Sequence, residues 1–288
     1  MTTAQSAGSE SPDVLFVTAQ YGNVDDTASL VASLALLETP PAFSLIVVDN
    51  SPEDCSDQVT ALGRSAAFRL ECRRPRTNLY YWGGAAYALE PFLRAPGSVP
   101  RWVVICNNDI VIPDTEFLRH LAALDPEAYP IIAPGIVSKA TGKRQNPFLE
   151  VAPTTPQRLK WGVYDIAFPV ATGMLRIHKV LQALLPRVER DDQRPGSMAR
   201  DIYAPHGSCV ILSSTFFARG GSFDTAVPMF AEELTLAAEA IRLGLPVRYV
   251  PSLRVIHREH STTGPRLTRE KYEMERAARR RYYSIVAG

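Results

Sequence analysis

Four short and almost wholly apolar runs recur along this chain: residues 14–18 (VLFVT), 45–48 (LIVV), 102–106 (WVVIC) and 209–212 (CVIL). Each is too short for a helix and is bounded by polar residues, the pattern of strands buried on both faces. Segments of helical spacing lie between them. Asp25 and Asp26 can cap a helix through Glu38, in which Leu30, Leu34 and Leu37 share one face. Residues 54–62 suit another helix and 68–72 another strand, and a Gly83-Gly84 turn leads into a helix ending near Leu93. This alternation predicts an open α/β sheet with right-handed crossovers and helices on its faces.

With 288 residues, the chain can bury one large core or two small ones. A net charge of +1 argues against a nucleic-acid binder, which carries a large basic excess. No apolar run approaches the roughly 18–20 residues of a membrane span. The polar start, MTTAQSAGSESPD, has neither the basic nor the apolar part of a secretory signal, so residues 1–12 are expected to be a disordered tail. Cys55, Cys72, Cys106 and Cys209 are widely spaced with no CxxC pair, which argues against a zinc ribbon and a disulfide framework. The expected compartment is the reducing cytoplasm. Residues 140–200 are less regular, with several prolines, a charged run at 189–194 and helical pieces such as 174–185.

Polar residues recur at the carboxyl ends of the expected strands: Thr18, Asp49, Asn107 and Asp109. Open α/β sheets bind ligands just outside those ends. Asp49, in VVDNSPED, can accept the imide N–H of a uracil or thymine ring, and it can equally serve as a turn or helix cap. Asp109, in Asn107-Asn108-Asp109, can bind Mg²⁺ or Mn²⁺ bridging two phosphates, or belong to a polar turn before a helix near Asp114. The segment from Asn78 to Gly84 (NLYYWGG) couples aromatics to a glycine pair that permits close approach of a phosphate or sugar, or forms a tight turn with an aromatic cluster. It is not GxGxxG, which removes support for a Rossmann dehydrogenase.

Residues 230–261 place Glu232 and Glu233 at a helix start, Gly244 at its end, a strand over 247–250, and His257 and His260 beyond it. A carboxylate pair so held can supply a general base. Acidic residues also favour the first turn of any helix, where they complement its positive end. His206, beside Gly207, and Glu259 with His260 are each open between a site role and a plain turn. His120 and His178 read as helix-surface residues.

In order, these segments resemble the family 2 glycosyltransferases, inverting enzymes of the GT-A fold, over nearly all of residues 13–262. The resemblance rests on the strand with Thr18, VVDNS, Asn78 with Gly83-Gly84, the strand with Asn107-Asn108-Asp109, HGS-CVIL, GGSFD, Glu232-Glu233-Leu234 and His257 with Ser261. It is strongest towards bacterial members that build surface polysaccharide, including rhamnosyl-type transferases. It implies a three-layer α/β sandwich with a mixed central sheet over 13–263 and a basic helical tail over 264–288. It further implies base recognition by Asp49 with Thr18, Gln20 and Tyr21, and donor contacts from Asn78, Gly83, Gly84, Asn107 and Asn108. Gly207 and Ser208 would lie on the site wall. A divalent cation, Mn²⁺ or Mg²⁺, would be held by Asp109 and His257. Glu233 becomes the base, with Glu232 beside it.

The implied reaction is a single displacement from a UDP- or dTDP-sugar to a hydroxyl of a surface glycan or lipid-linked acceptor. The chain departs from the family pattern at several positions. Asn107 replaces the first carboxylate of the metal motif, Glu233 stands for an Asp, and Thr235 occupies the place of a second acid. Tyr80 and Ala86 replace a glycine and an asparagine. Two other readings stay open: a non-catalytic nucleotide or glycan binder, and a sugar nucleotidyltransferase, although the acidic QYGNVDDT is unlike the latter's basic loop. The tail carries Arg266, Arg269, Lys271, Arg276, Arg279, Arg280 and Arg281. It could contact an anionic inner membrane face peripherally, or be a solvated helix.

Overall fold

The computed structural model describes residues 12–95, 97–184, 198–259 and 267–287. Most of the expected N-terminal tail, the run at 189–194, His260, Ser261 and Arg266 lie outside the described residues. The strands are β1 (Val14–Gln20), β2 (Phe43–Asp49), β3 (Arg69–Arg73), β4 (Trp102–Asn107), β5 (Ile110–Val111), β6 (Ile131–Ser138), β7 (Arg200–Ile202), β8 (Cys209–Ser213) and β9 (Val247–His257). They form one mixed sheet in the order β3-β2-β1-β4-β8-β6-β9-β5, with β7 also on β9. The first four strands are parallel, β8 is antiparallel to β4 and β6, and β6 runs parallel to β9.

The helices are α1 (Asp25–Leu34), α2 (Ser56–Gly63), α3 (Tyr80–Arg94), α4 (Phe117–Ala122), α5 (Thr155–Tyr164), α6 (Phe168–Leu184), α7 (Ser214–Ala218), α8 (Glu232–Leu243) and α9 (Arg269–Ala287). Strand side chains alternate between two helical layers because a strand's period is two. Phe16, Leu45, Val47 and Val104 pack with Leu30 and Leu34 of α1, Val59 of α2 and Phe117 of α4. Leu15, Val17, Ile46 and Val103 pack with Trp82 and Leu89 of α3 and Leu236 of α8. Burying one such side chain contributes roughly 1.5–3 kcal/mol. This is the expected three-layer sandwich with a mixed central sheet.

The detail differs from the sequence reading in four places. Helix α1 stops at Leu34, short of Glu38, although Leu37 is still buried. Gly83 and Gly84 lie within α3 rather than in a turn before it. The Asn50 carboxamide explains this: it accepts the Leu79 N–H (3.0 Å) and donates to the Tyr80 carbonyl (3.1 Å), so winding starts at Tyr80. Strand β9 runs on past Val250 to His257. Its partner β6, rich in Ile and Val but broken by Pro134-Gly135, lies where no strand was expected.

Pairing between β6 and β9 skips residues 251–253, since Pro134 faces Val250 and Gly135 faces Arg254. Pro251 has no N–H for the ladder, so the chain bulges there. A Cβ at position 135 would lie 2.6 Å from the Pro251 carbonyl oxygen, and glycine alone fits. Beyond the bulge the ladder resumes and sets His257 opposite both Ser138 and Ile110.

Helix α9 packs on α8 with Tyr272 and Tyr282 buried. Arg279 forks onto Asp165 (2.6 and 3.0 Å), Arg281 pairs with Asp224 (2.7 Å), and the Tyr282 and Tyr203 hydroxyls meet at 2.6 Å. Arg269 lies over the Phe168 ring and Lys271 over the Phe230 ring. Several basic groups of the tail thus have partners in the chain itself. Among the described residues no helix is long and apolar enough to cross a membrane.

Candidate active site

The carboxyl ends of β1, β2 and β4 lie along one edge of the sheet. Strand β8 is antiparallel, so its beginning reaches the same edge: the Asn107 N–H donates to the Ser208 carbonyl at 2.9 Å. That geometry brings the Asn107-Asn108-Asp109 turn next to His206-Gly207-Ser208.

At the ends of β2 and β3 is a cavity of about 290 Å³, lined by Tyr21, Asp49, Ser51, Arg74, Arg76 and Asn78 among others. The Asp49 side chain is wholly buried in its floor. One carboxylate oxygen accepts the Ser51 N–H (3.0 Å); the other accepts the Cys55 N–H (3.0 Å) and the Arg74 guanidinium (2.6 Å). Arg74 also donates to the Ser51 carbonyl at 2.9 Å. Asp49 thereby anchors the loop that walls the cavity, while Tyr21, Arg76 and Asn78 present exposed side chains around it.

Thr18 and Gln20 are buried. Gln20 donates to the carbonyls of Gly22 (2.8 Å) and Asn23 (3.0 Å), and Asn108 donates to Gln20 (3.1 Å) and to Thr27 (3.0 Å). These bonds knit the loop after β1 to the turn after β4. A second cavity, of about 430 Å³, adjoins Asn78, Tyr80 and Gly83 on one side and residues 225–228 on the other. Gly84 faces inward, packed beside Asn50 and Val48.

Glu232 and Glu233 open α8 and share the first turn. The Gly207 N–H donates to Glu233 Oε1 at 3.1 Å, and a Cβ at position 207 would lie 3.0 Å from that oxygen. Thr235, in the place of a second acid, is buried and donates to the Ala231 carbonyl at 2.8 Å. Burial, then the charge of Glu233, pushes the Glu232 carboxyl up to about 8, against the opposing pull of the Glu232, Ala231 and Phe230 N–H groups. Beneath the pair, the Tyr81 hydroxyl is buried without a hydrogen-bond partner, and burial first, then nearby Cys106, Cys209 and the two glutamates, pushes it well above the usual phenol range.

The raised Glu232 carboxyl predicts a pH-dependent stability difference. The folded state holds a proton that the unfolded chain releases above about pH 4.5, so stability falls as pH rises from there towards about 8. Glu232→Gln removes that loss. Its melting temperature should rise relative to wild type between pH 5 and pH 8, the gap widening with pH. A gap constant across that range would refute the assignment.

His257 ends β9 and Asp109 immediately precedes β5, which pairs with it. His257 Nε2 lies 3.2 Å from Asp109 Oδ1, an oxygen that is buried with no hydrogen-bond donor. An oxygen and an imidazole nitrogen so placed fit a divalent cation. Adjacent ligands of an octahedral ion with bonds of about 2.1 Å sit about 3.0 Å apart. No group of three His, Cys, Asp or Glu side chains forms a metal cluster among the described residues. Any further ligands would therefore come from substrate and water.

On its other side, His257 Nδ1 meets Gln145 Oε1 at 2.8 Å, and Gln145 Nε2 donates to Glu259 at 2.6 Å. The next residue, Asn146, accepts the His206 N–H at 2.7 Å and donates to the Pro134 carbonyl at 2.9 Å. His206 Nδ1 accepts the Ser208 N–H (3.1 Å), and its ring lies 6.0 Å from that of His257. Burial lowers the His206 pKa, opposed by the charge of Glu233.

The structure thus gathers Asp109, His257, Gly207, Ser208, Glu232 and Glu233 along one edge, and sets Tyr21 and Asn78 around the adjoining cavity. Thr18, Gln20, Asp49 and Asn108 are placed as supports. Sequence reasoning missed Arg74, Arg76, Gln145 and Asn146. For the amide pair the available signal was a polar dipeptide before Pro147, at the return of a hairpin onto β6.

No protein-family model and no curated protein sequence matches the chain. Solved structures do. TarS 1-349 from S. aureus, in complex with UDP-GlcNAc, superposes with a TM-score of 0.55 at 15% identity over 92% of this chain and 65% of that one. The mannosyltransferase PcManGT from Pyrobaculum calidifontis, with GDP-Man and Mn²⁺, gives 0.52 at 14% identity over 97% and 75%. GalNAc-T7 with UDP, GalNAc and Mn²⁺ gives 0.56 at 11% identity over 85% and 43%. The chain spans 60% of another TarS 1-349 structure and 36% of a longer TarS chain. Sheet order, layering and these superpositions agree: the chain has the GT-A glycosyltransferase fold.

Proposed function

We propose that the chain is an inverting glycosyltransferase of family 2 type, moving a sugar from a UDP- or dTDP-linked donor to a hydroxyl of a surface glycan or lipid-linked acceptor. The observation that carries this reading is the pairing of Glu233 with Gly207 at the same sheet edge as Asp109 and His257. It sets a proton acceptor near a site suited to a departing diphosphate. The neighbours solved with UDP-GlcNAc or GDP-Man support a nucleotide-sugar donor, and those solved with Mn²⁺ support a cation.

In this reading the nucleotide occupies the cavity beside Tyr21, Arg76 and Asn78, on a loop stiffened by Asp49 and Arg74. Burial and the neighbouring Glu233 push the Glu232 carboxyl up to about 8, while the Gly207 N–H orients Glu233. Glu233 takes the proton of the acceptor hydroxyl as that oxygen attacks the anomeric carbon, the diphosphate departs from the opposite face, and configuration inverts. Asp109 and His257 would hold a divalent cation, which when bound neutralises charge on the leaving diphosphate.

A panel of nucleotide sugars, scored by thermal shift with and without Mn²⁺ and then by product formation, tests the proposal. One donor should raise the melting temperature more with Mn²⁺ and yield product of opposite anomeric configuration. Binding of a nucleoside diphosphate with no transfer from any donor would instead support a non-catalytic binder.

A further inference from the structure

We infer that Gln145 and Glu259 are positioning residues that lock His257 in the one tautomer able to share a cation with Asp109. The inference rests on the metal reading proposed above. Its starting point is the orientation of the Gln145 amide between Glu259 and His257. One Glu259 oxygen takes the Ser138 hydroxyl at 2.5 Å, and the other faces the Gln145 amide at 2.6 Å. Gln145 turns its NH₂ group to Glu259 and its carbonyl oxygen to His257 Nδ1, 2.8 Å away. Two acceptors cannot face each other at that distance, so Nδ1 carries the imidazole proton. In a neutral ring this leaves the Nε2 lone pair facing Asp109 Oδ1 3.2 Å away, a second pair of acceptors that only a shared cation reconciles.

Backbone geometry supports the same chain of contacts. Glu259 has φ +59°, a left-handed conformation that is strained for a residue with a side chain. The strain is compensated where the carboxylate reaches both Ser138 and Gln145. Gln145 is itself fixed by its N–H to the Ile136 carbonyl (3.0 Å), and the His257 carbonyl accepts the Lys139 N–H (2.8 Å). Every member of the relay thus hangs on β6 or on the end of β9.

Two variants of the full chain test this. Glu259→Gln frees the Gln145 amide to reverse, and Gln145→Met removes the acceptor while keeping the bulk. The tautomer is read by long-range ¹H–¹⁵N correlation on histidine-labelled protein, with His257 assigned through His257→Ala. Mn²⁺ affinity is read from the free-ion signal in electron paramagnetic resonance. Wild type should show protonated Nδ1, and each variant a tautomer mixture with Mn²⁺ affinity reduced about 10-fold or more, with melting temperatures near that of wild type. Unchanged tautomer and affinity in both variants would overturn the inference alone. Wild type with protonated Nδ1 but no Mn²⁺ binding would overturn the metal reading, and the inference with it.

Discussion

Glu233→Gln is expected to lower sugar transfer by about 10²–10⁴-fold, the range for losing a positioned general base, while nucleotide binding persists. The amide keeps the shape of the side chain and its contact with the Gly207 N–H, but it cannot take a proton. Donor binding should survive because the cavity proposed for the nucleotide lies at the ends of β2 and β3, among different residues. The companion variant sharpens the test. Burial pushes the Glu232 carboxyl up to about 8, and an amide resembles a protonated carboxyl, so Glu232→Gln should keep most activity at pH 7. A dead Glu232→Gln beside an active Glu233→Gln would move the base to Glu232.

The second large effect is on stability. Asp49→Ala should destabilise the fold by about 3 kcal/mol, the lower part of the range for breaking a buried ion pair, since Arg74 retains some access to water. The substitution strips partners from Arg74 and from the Ser51 and Cys55 N–H groups together. Urea unfolding at pH 7 measures it. A carboxylate that reads the nucleotide base directly would behave in the opposite way: nucleotide affinity lost, unfolding midpoint unchanged. That outcome would return Asp49 to the role its motif suggested.

The contrast at Asp49 shows how much of the site was legible from sequence. Its place at a strand end was readable because residues 45–48 are continuously apolar and can only be a buried strand. Its occupancy was not readable, since Arg74 comes from another strand's end and nothing in the local pattern of either segment records the pairing. The same holds for Gly207 and Glu233, whose contact depends on β8 running against β4. Strand β6 escaped notice because Pro134 and Gly135 imitate a loop, and the close approach of the bulged Pro251 carbonyl is what requires the glycine. Helical and strand periodicities report burial. Hydrogen bonds between segments distant in sequence carry no such period, and Gln145, which faces His257 and Glu259, was silent for that reason.

The bulge at residues 251–253 has a consequence for how this chain can vary in length. Side chains alternate across a strand, so adding or removing a single residue between 254 and 256 would turn His257 to the opposite face of the sheet. Length changes in surface connections, such as the turn between Lys139 and Gly142, leave that phase untouched. The bulge acts as a phase setter: upstream of it β9 keeps time with the core, and downstream it keeps time with Asp109. A descendant chain could vary the exposed cavity walls, yet a one-residue change in this stretch would turn His257 away and a two-residue change would slide it about 6–7 Å along the ladder, and either would forfeit its meeting with Asp109.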